Sequence, residues 1–284
     1  MPAGSSVLIT GCSTGIGRAT AERLAAAGHQ VYATARQPET LSDLEAKGCV
    51  TMALDVTDET SMKAAVDRIE EESGAVAALI NNAGYSQSGA IETVDMGAVR
   101  RQFETNVFGL IRMTQLVLPG MRKAGHGRVV NISSMGANFT FPGGGIYHST
   151  KYAVEAISDA LRFEVAAFGV DVVVVQPGAI RTDFDKAAIA SLDDAASADD
   201  VYGEFNRHVG KATKEAYEGG PMKLLGGEPD AVAKVIEKAI TAKRPRTRYR
   251  VTPSATLLIN QAHLMPDRVW DKFVSTQFPQ PGKS

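Results

Sequence analysis

Short β-branched and apolar runs recur along the chain at residues 7–10, 31–34, 50–54, 78–81, 128–133 and 170–176. Between them lie longer stretches whose apolar positions repeat every three or four residues, the spacing of an amphipathic helix. Runs of this kind, with little alternation, are strands buried on both faces, and the intervening helices are long enough for parallel crossovers. The pattern predicts an α/β fold, a doubly wound parallel β-sheet flanked by helices, with ligands beyond the carboxyl ends of the strands.

The order loosens after residue 185. Residues 185–227, rich in Ala, Asp and Gly, read as a partly mobile insertion. The 284 residues are expected to form one domain, with the core at 5–185 and a substrate loop and variable helical C-terminal region at 186–284. Helices expected at about 107–124 and 147–168 carry more apolar residues than one face needs, among them Phe108, Leu110, Ile111, Met113, Leu116 and Val117, which points to self-association. Residues 257–278, with Trp270 and Phe273, either cap a pocket, join an interface or touch a membrane surface.

Composition narrows the classes. A formal net charge of −2 argues against nucleic acid as the main partner. The basic run 243–250 places arginines at 244, 246, 248 and 250, a period of two that suits the solvated side of an edge strand. The N-terminus lacks the basic and apolar regions of a signal peptide, and no apolar run approaches a bilayer's thickness, so a cytoplasmic location without stable membrane insertion is expected. Cys12 and Cys49 form no secreted-type framework, and neither they nor the five histidines have metal-ligand spacing, so no metal is expected.

The candidate chemistry follows the strands. The first strand runs into Gly11, Ser13, Thr14, Gly15, Ile16 and Gly17, where a glycine turn meets a helix start, with Ala19, Leu24 and Ala25 on the helix's inner face. Such a turn lets backbone N–H groups approach a pyrophosphate, although glycine corners also occur without ligands. About twenty residues on, where an acidic side chain would hold a free ribose, stand Ala35 and Arg36, which favours NADP(H) over NAD(H), and Arg18 adds charge nearby. Tyr147 and Lys151 lie four apart on a predicted helix, so phenol and ammonium share a face. An unperturbed tyrosine titrates near 10, and a neighbouring cation favours its phenolate. Ser134, thirteen residues before Tyr147, offers a hydroxyl to a substrate oxygen, while Ser133 is expected to face away.

These motifs, with Asn81-Asn82-Ala83-Gly84, Asn106 and Pro177-Gly178, resemble the short-chain dehydrogenase/reductase family in order and spacing over residues 5–185. Residues 31–36 and the loop from Ser134 to Tyr147 look like its 17-beta-hydroxysteroid dehydrogenase and retinol dehydrogenase branch. The resemblance implies a single-domain Rossmann-type fold and an oxidoreductase that interconverts an alcohol with its ketone or aldehyde. It assigns Tyr147 as general acid or base and Ser134 as the group that positions the substrate oxygen. Lys151 holds the nicotinamide ribose and stabilises the phenolate, and Asn106 sustains a water-linked proton relay. It also implies that Asp55 and Val56 contact adenine, that Asn82, Ala83 and Gly84 line the cofactor cleft, and that Pro177, Gly178, Ile180 and Thr182 cover the nicotinamide. A homodimer or homotetramer built on the two long helices is implied as well.

The substrate is written in the less constrained segments, 85–91, 135–145 and the stretch after Thr182. Phe139, Phe141, Phe184 and residues 202–205 suit either an apolar pocket or plain packing. Residues 143–145, three glycines, either open space for a bulky ring system or loosen a turn. A large hydrophobic alcohol or ketone is expected. His148 is expected at the surface or in a subunit contact, about a hundred degrees around the helix from Tyr147. An NAD-preferring enzyme of the same fold is an alternative that Arg36 would discriminate. A non-catalytic NADP(H)-binding regulator is another, against which the full set of Asn106, Ser134, Tyr147 and Lys151 counts.

Overall fold

A computed structural model describes residues 1–192, 201–218 and 225–282. Seven parallel strands run β1 (Ser6–Ile9), β2 (Gln30–Ala35), β3 (Val50–Ala53), β4 (Ala78–Asn81), β5 (Gly127–Ile132), β6 (Val170–Pro177) and β7 (Arg248–Val251), in the sheet order β3-β2-β1-β4-β5-β6-β7. The order reverses between β1 and β4, where successive crossovers pass to opposite faces and leave a crevice above the strand ends. The six expected strands are all present to within a residue or two, because a strand covered on both faces admits little but apolar side chains.

Alternate residues feed two cores. Val7, Ile9, Val31, Ala33, Val130 and Val173 pack beneath α1 (Gly15–Ala26), a short α2 (Ser42–Glu45) and α9 (Pro229–Thr241). Leu8, Tyr32, Leu79, Val129 and Val172 face α3 (Glu59–Ser73), α5 (Gly109–Ala124) and α6 (Gly145–Val165). On α1 the buried residues are Gly17, Thr20, Ala21 and Leu24, so the inner face is rotated from the expected one and leaves Ala19 and Ala25 half-buried. Asp58 caps α3 by accepting from the N–H groups of Thr60 and Ser61, and Asp95 caps α4 (Met96–Phe103) through Ala98. A π-helical turn, Glu104–Phe108, joins α4 to α5 in one bent helix.

The edge strand is shorter than its arginine pattern suggests. β7 begins at Arg248, so Arg244 and Arg246 precede it, and Pro245 has no N–H to give to a ladder. Arg248 is held by Glu155 at 2.8 Å and Asp159 at 2.7 Å, and Arg250 donates to Asn260 at 2.6 Å. The region after β6 is partly helical, with α7 (Phe184–Ala190) and α8 (Gly203–Glu218); residues 193–200 and 219–224 of the expected insertion lie outside the described residues, and Gly227 at its end pairs with Ile180 in a bridge. The chain closes with α10 (Pro253–Leu264) and α11 (Asp267–Ser275). Among the described residues no helix is long and apolar enough to cross a membrane.

Candidate active site

A cleft of about 1340 Å³ opens above the sheet, from the glycine turn after β1 to the C-terminal helices. Every site residue expected from the sequence lines it except Gly17 and Asn106. Both exceptions lie behind the wall. A Cβ on Gly17 would stand 2.2 Å from the carbonyl oxygen of Gly11, so this glycine lets α1 pack against the turn. Asn106, in the π-helical turn, donates from Nδ2 to the carbonyl of Tyr85 at 2.9 Å and to Thr150 Oγ1 at 3.1 Å, and its Oδ1 accepts from the Tyr85 N–H at 3.1 Å.

The cofactor half of the cleft is built from backbone. Gly11 and Gly15 have φ of +74° and +60°, and a Cβ on Gly11 would lie 2.9 Å from Ala83 Cα. Thr14, the residue before α1, caps none of its first N–H groups with its side chain, which leaves donors and the positive end of the helix at the cleft. Asn82 braces the turn: its Nδ2 donates to the carbonyls of Thr10 and Gly11, each at 2.9 Å, while Thr10 Oγ1 accepts from the N–H groups of Asn82 and Ala83. Asp55 Oδ1 accepts from Thr57 N–H and hydroxyl, which fixes the turn after β3. Thr182 reaches over from β6, and its methyl would lie 3.1 Å from a Cβ on Gly15.

The charges at the adenosine end are sorted by their partners. Arg18 is consumed, paired with Asp43 and bound to the carbonyls of Ser13 and Thr40. Arg36 lines the cleft, is exposed, and has no ion pair or hydrogen bond among the described residues. The residues present thus fit a dinucleotide: a glycine cradle, free helix N–H groups and a guanidinium available to a phosphate.

At the centre, Ser134 leaves β5 in an extended conformation, and its Oγ accepts from Gly136 N–H at 3.1 Å. Ser133 is buried, with a hydroxyl that makes no hydrogen bond among the described residues. Tyr147 and Lys151 share a face of α6, the ammonium 5.7 Å from the phenol ring centre. Lys151 is buried and donates to the Ile132 carbonyl at 2.9 Å; burial pulls its pKa down to about 8, against a smaller opposing effect of Glu155. The ring of Phe184 meets Tyr147 edge-on at 5.3 Å.

The far half carries an aromatic cluster, with His208, Thr213, Glu215 and Gln277 also in its lining. Phe139 packs edge to face with Phe141 at 5.1 Å and against Trp270 at 5.4 Å, and Phe273, Phe278 and Leu258 complete this end. Residues 257–278 therefore cap the cleft. Phe139, Phe141 and Phe184 are pocket walls, whereas Tyr202 and Phe205 pack with Ala90, Leu192 and Val209 beneath α8. Gly143 and Gly144 line the cleft, and a Cβ on Gly143 would stand 2.6 Å from Val209, so this glycine also seats α8 on the loop. His148 is not a surface residue. It lines the cleft, wedged between Gly136 and Gly144, because the loop from Ser134 folds back over that side of α6.

Sequence reasoning had no signal for Leu54, Arg101 and Val209, which also line the cleft. They come from segments without motifs, brought in by long-range packing.

Comparison with known proteins agrees with this architecture. The family model described as short chain dehydrogenase matches residues 5–192. A 3-ketodihydrosphingosine reductase of Bacteroides thetaiotaomicron is 38% identical over 266 residues, covering 93% of this chain and 94% of that protein. An NADPH-dependent 3-dehydrocapnine reductase of Ornithobacterium rhinotracheale is 36% identical, covering 93% and 94%. Rat retinol dehydrogenase 16 is 33% identical, covering 98% and 90%. A solved short-chain dehydrogenase from Streptomyces avermitilis superposes with a TM-score of 0.77 at 32% identity, covering 97% of this chain and 96% of that one.

Proposed function

The chain belongs to the short-chain dehydrogenase family and is an NAD(P)-dependent oxidoreductase, and from that premise we propose that it is an NADP(H)-dependent reductase of a ketone carried on an extended apolar chain. The observation that carries this reading is the continuity of the cleft. One wall runs from the glycine cradle past Ser134, Tyr147 and Lys151 to the aromatic end formed by Phe139, Phe141 and Phe273. The relatives named as reductases of 3-ketodihydrosphingosine and 3-dehydrocapnine support both the direction and the ketone.

When bound, the nicotinamide supplies the hydride. Ser134 orients the substrate carbonyl by donating to its oxygen, and Tyr147 delivers the proton to that oxygen as charge develops there. Lys151, charged and buried beside the phenol, stabilises the phenolate that remains and reaches the nicotinamide ribose. Asn106 holds the Tyr85 backbone and the Thr150 hydroxyl, and so steadies the side of the site where a water-linked relay would return a proton to Lys151. Asp55 and Val56 contact adenine, and Pro177, Gly178, Ile180 and Thr182 close over the nicotinamide. Arg36, free of partners among the described residues, receives the 2′-phosphate, which the name of the NADPH-dependent relative also supports. Residues 5–185 act as cofactor and catalytic core, and 186–284 as the substrate region.

The exposed aromatic side chains Phe108, Tyr152, Phe163 and Phe168 on and beside α5 and α6 suit burial in a homodimer or homotetramer. The test of function is oxidation of NADPH by the purified protein against steroid, retinoid, short aliphatic and long-chain keto substrates. Turnover confined to long-chain ketones is the expected result; turnover confined to compact ketones would overturn the substrate class, and tight NADPH binding with no turnover would favour a regulator.

A further inference from the structure

His148 takes no part in the chemistry described above, yet its ring sits in the wall between the catalytic residues and the aromatic end. Its Nδ1 accepts a hydrogen bond from the backbone N–H of Phe141 at 3.3 Å. A nitrogen that accepts carries no proton. Burial pushes the imidazole pKa down to about 4, so the ring is neutral at physiological pH and its single proton resides on Nε2. The tautomer is thus set by the loop, and Nε2 is a donor.

That donor has no hydrogen-bond acceptor among the described residues. The imidazole edge carrying Nε2 lies against Gly136 and Gly144, 2.8 Å and 3.2 Å from where their Cβ atoms would stand; any larger residue at either position would displace the ring. Gly136 is also the residue whose N–H is held by Ser134 Oγ at 3.1 Å, so the imidazole stands one residue's width from the hydroxyl assigned to the substrate carbonyl. A donor on the wall of the cleft with no protein acceptor among the described residues is free to meet the bound molecule.

Resting on the reductase reading above, we propose that the Nε2–H of His148 donates to a second oxygen of the substrate, a few bonds from the reacting carbonyl, and selects oxygen-bearing ketones over plain ones. The Nδ1 bond makes the residue a positioning element for the loop, and the Nε2 bond makes it a specificity determinant.

The test compares a long-chain β-hydroxy ketone with the plain ketone of the same chain length, using NADPH. The wild type is expected to favour the hydroxy ketone in kcat/KM by about tenfold or more, the effect of one well-made hydrogen bond. His148→Asn keeps an acceptor near Phe141 but lacks the reach of Nε2, and should lose most of that preference; His148→Gln, with a donor at Nε2's distance, should retain more of it. A wild type that turns over both ketones with equal kcat/KM overturns the inference without any variant. So does a preference that survives unchanged in His148→Asn, whatever the fall in absolute rates. Turnover of neither ketone would overturn the reductase reading itself.

Discussion

The ammonium of Lys151 stands 5.7 Å from the centre of the Tyr147 ring while it donates to the carbonyl of Ile132 at 2.9 Å. That single anchor on β5 holds a cation beside the phenol and out of water, and the loss of hydration brings its pKa down to about 8.

Activity should therefore fall as pH rises through about 8, because the cation that stabilises the phenolate is then lost. Lys151→Arg, which stays charged, should move that fall to higher pH in a profile of kcat/KM. The linkage has a definite sign. With the folded value near 8 and the unfolded one near about 10.4, the unfolded chain binds more protons in that window. Wild-type stability should then rise relative to Lys151→Met as pH goes from about 8 to about 10, and a constant difference in Tm would contradict this.

Tyr147→Phe removes the proton donor and keeps the ring contact with Phe184 at 5.3 Å, which needs no hydroxyl. Its kcat should drop by roughly a hundredfold to ten-thousandfold with NADPH affinity kept within about threefold. Fluorescence titration of NADPH and steady-state kinetics separate the two effects.

Arg36→Ala should weaken NADPH by about tenfold or more and NADH little, because the guanidinium has no other partner among the described residues. Equal losses for both cofactors would show that Arg36 does not meet the 2′-phosphate.

Gly143→Ala meets two obstacles, a φ of +78° and a Cβ placed 2.6 Å from Val209. A loss of about 1–3 kcal/mol is expected in denaturant melts, with a raised KM as α8 is pushed from the loop. Val209→Ala in the same chain should recover part of it, and strictly additive effects would deny the contact.

Cys12 is fully buried, and burial pushes its thiol up to about 12; Cys49, buried too, rises to about 11. Neither should react with a thiol reagent at pH 8 until the chain is unfolded. Labelling of the native protein at wild-type stability would place one of them at the surface instead.

Much of this molecule is written locally. Strands such as Val170–Pro177 are legible because a strand covered on both faces must be apolar throughout, and the glycine turn because only glycine adopts φ of +74° and +60° there without strain. Tyr147 and Lys151 are legible because a spacing of four in a helix is one face whatever surrounds it. These are relations between near neighbours, and the backbone's own geometry decides them.

Other roles depend on which distant segments meet. Gly17 and Asn106 carry the right motif but brace the site from behind, and Asn82 spends its amide on the glycine turn. His148 reads as a surface residue from the helix alone and becomes a wall of the cleft only because the loop from Ser134 folds over it. Val209, Leu258 and Phe278 reach the pocket from segments sixty or more residues beyond Tyr147 that carry no motif, and Trp270 packs behind Phe139. Local spacing determined the sheet, the cradle and the proton-transfer pair; packing between remote segments decided the substrate half, because burial and close approach are properties of the folded whole.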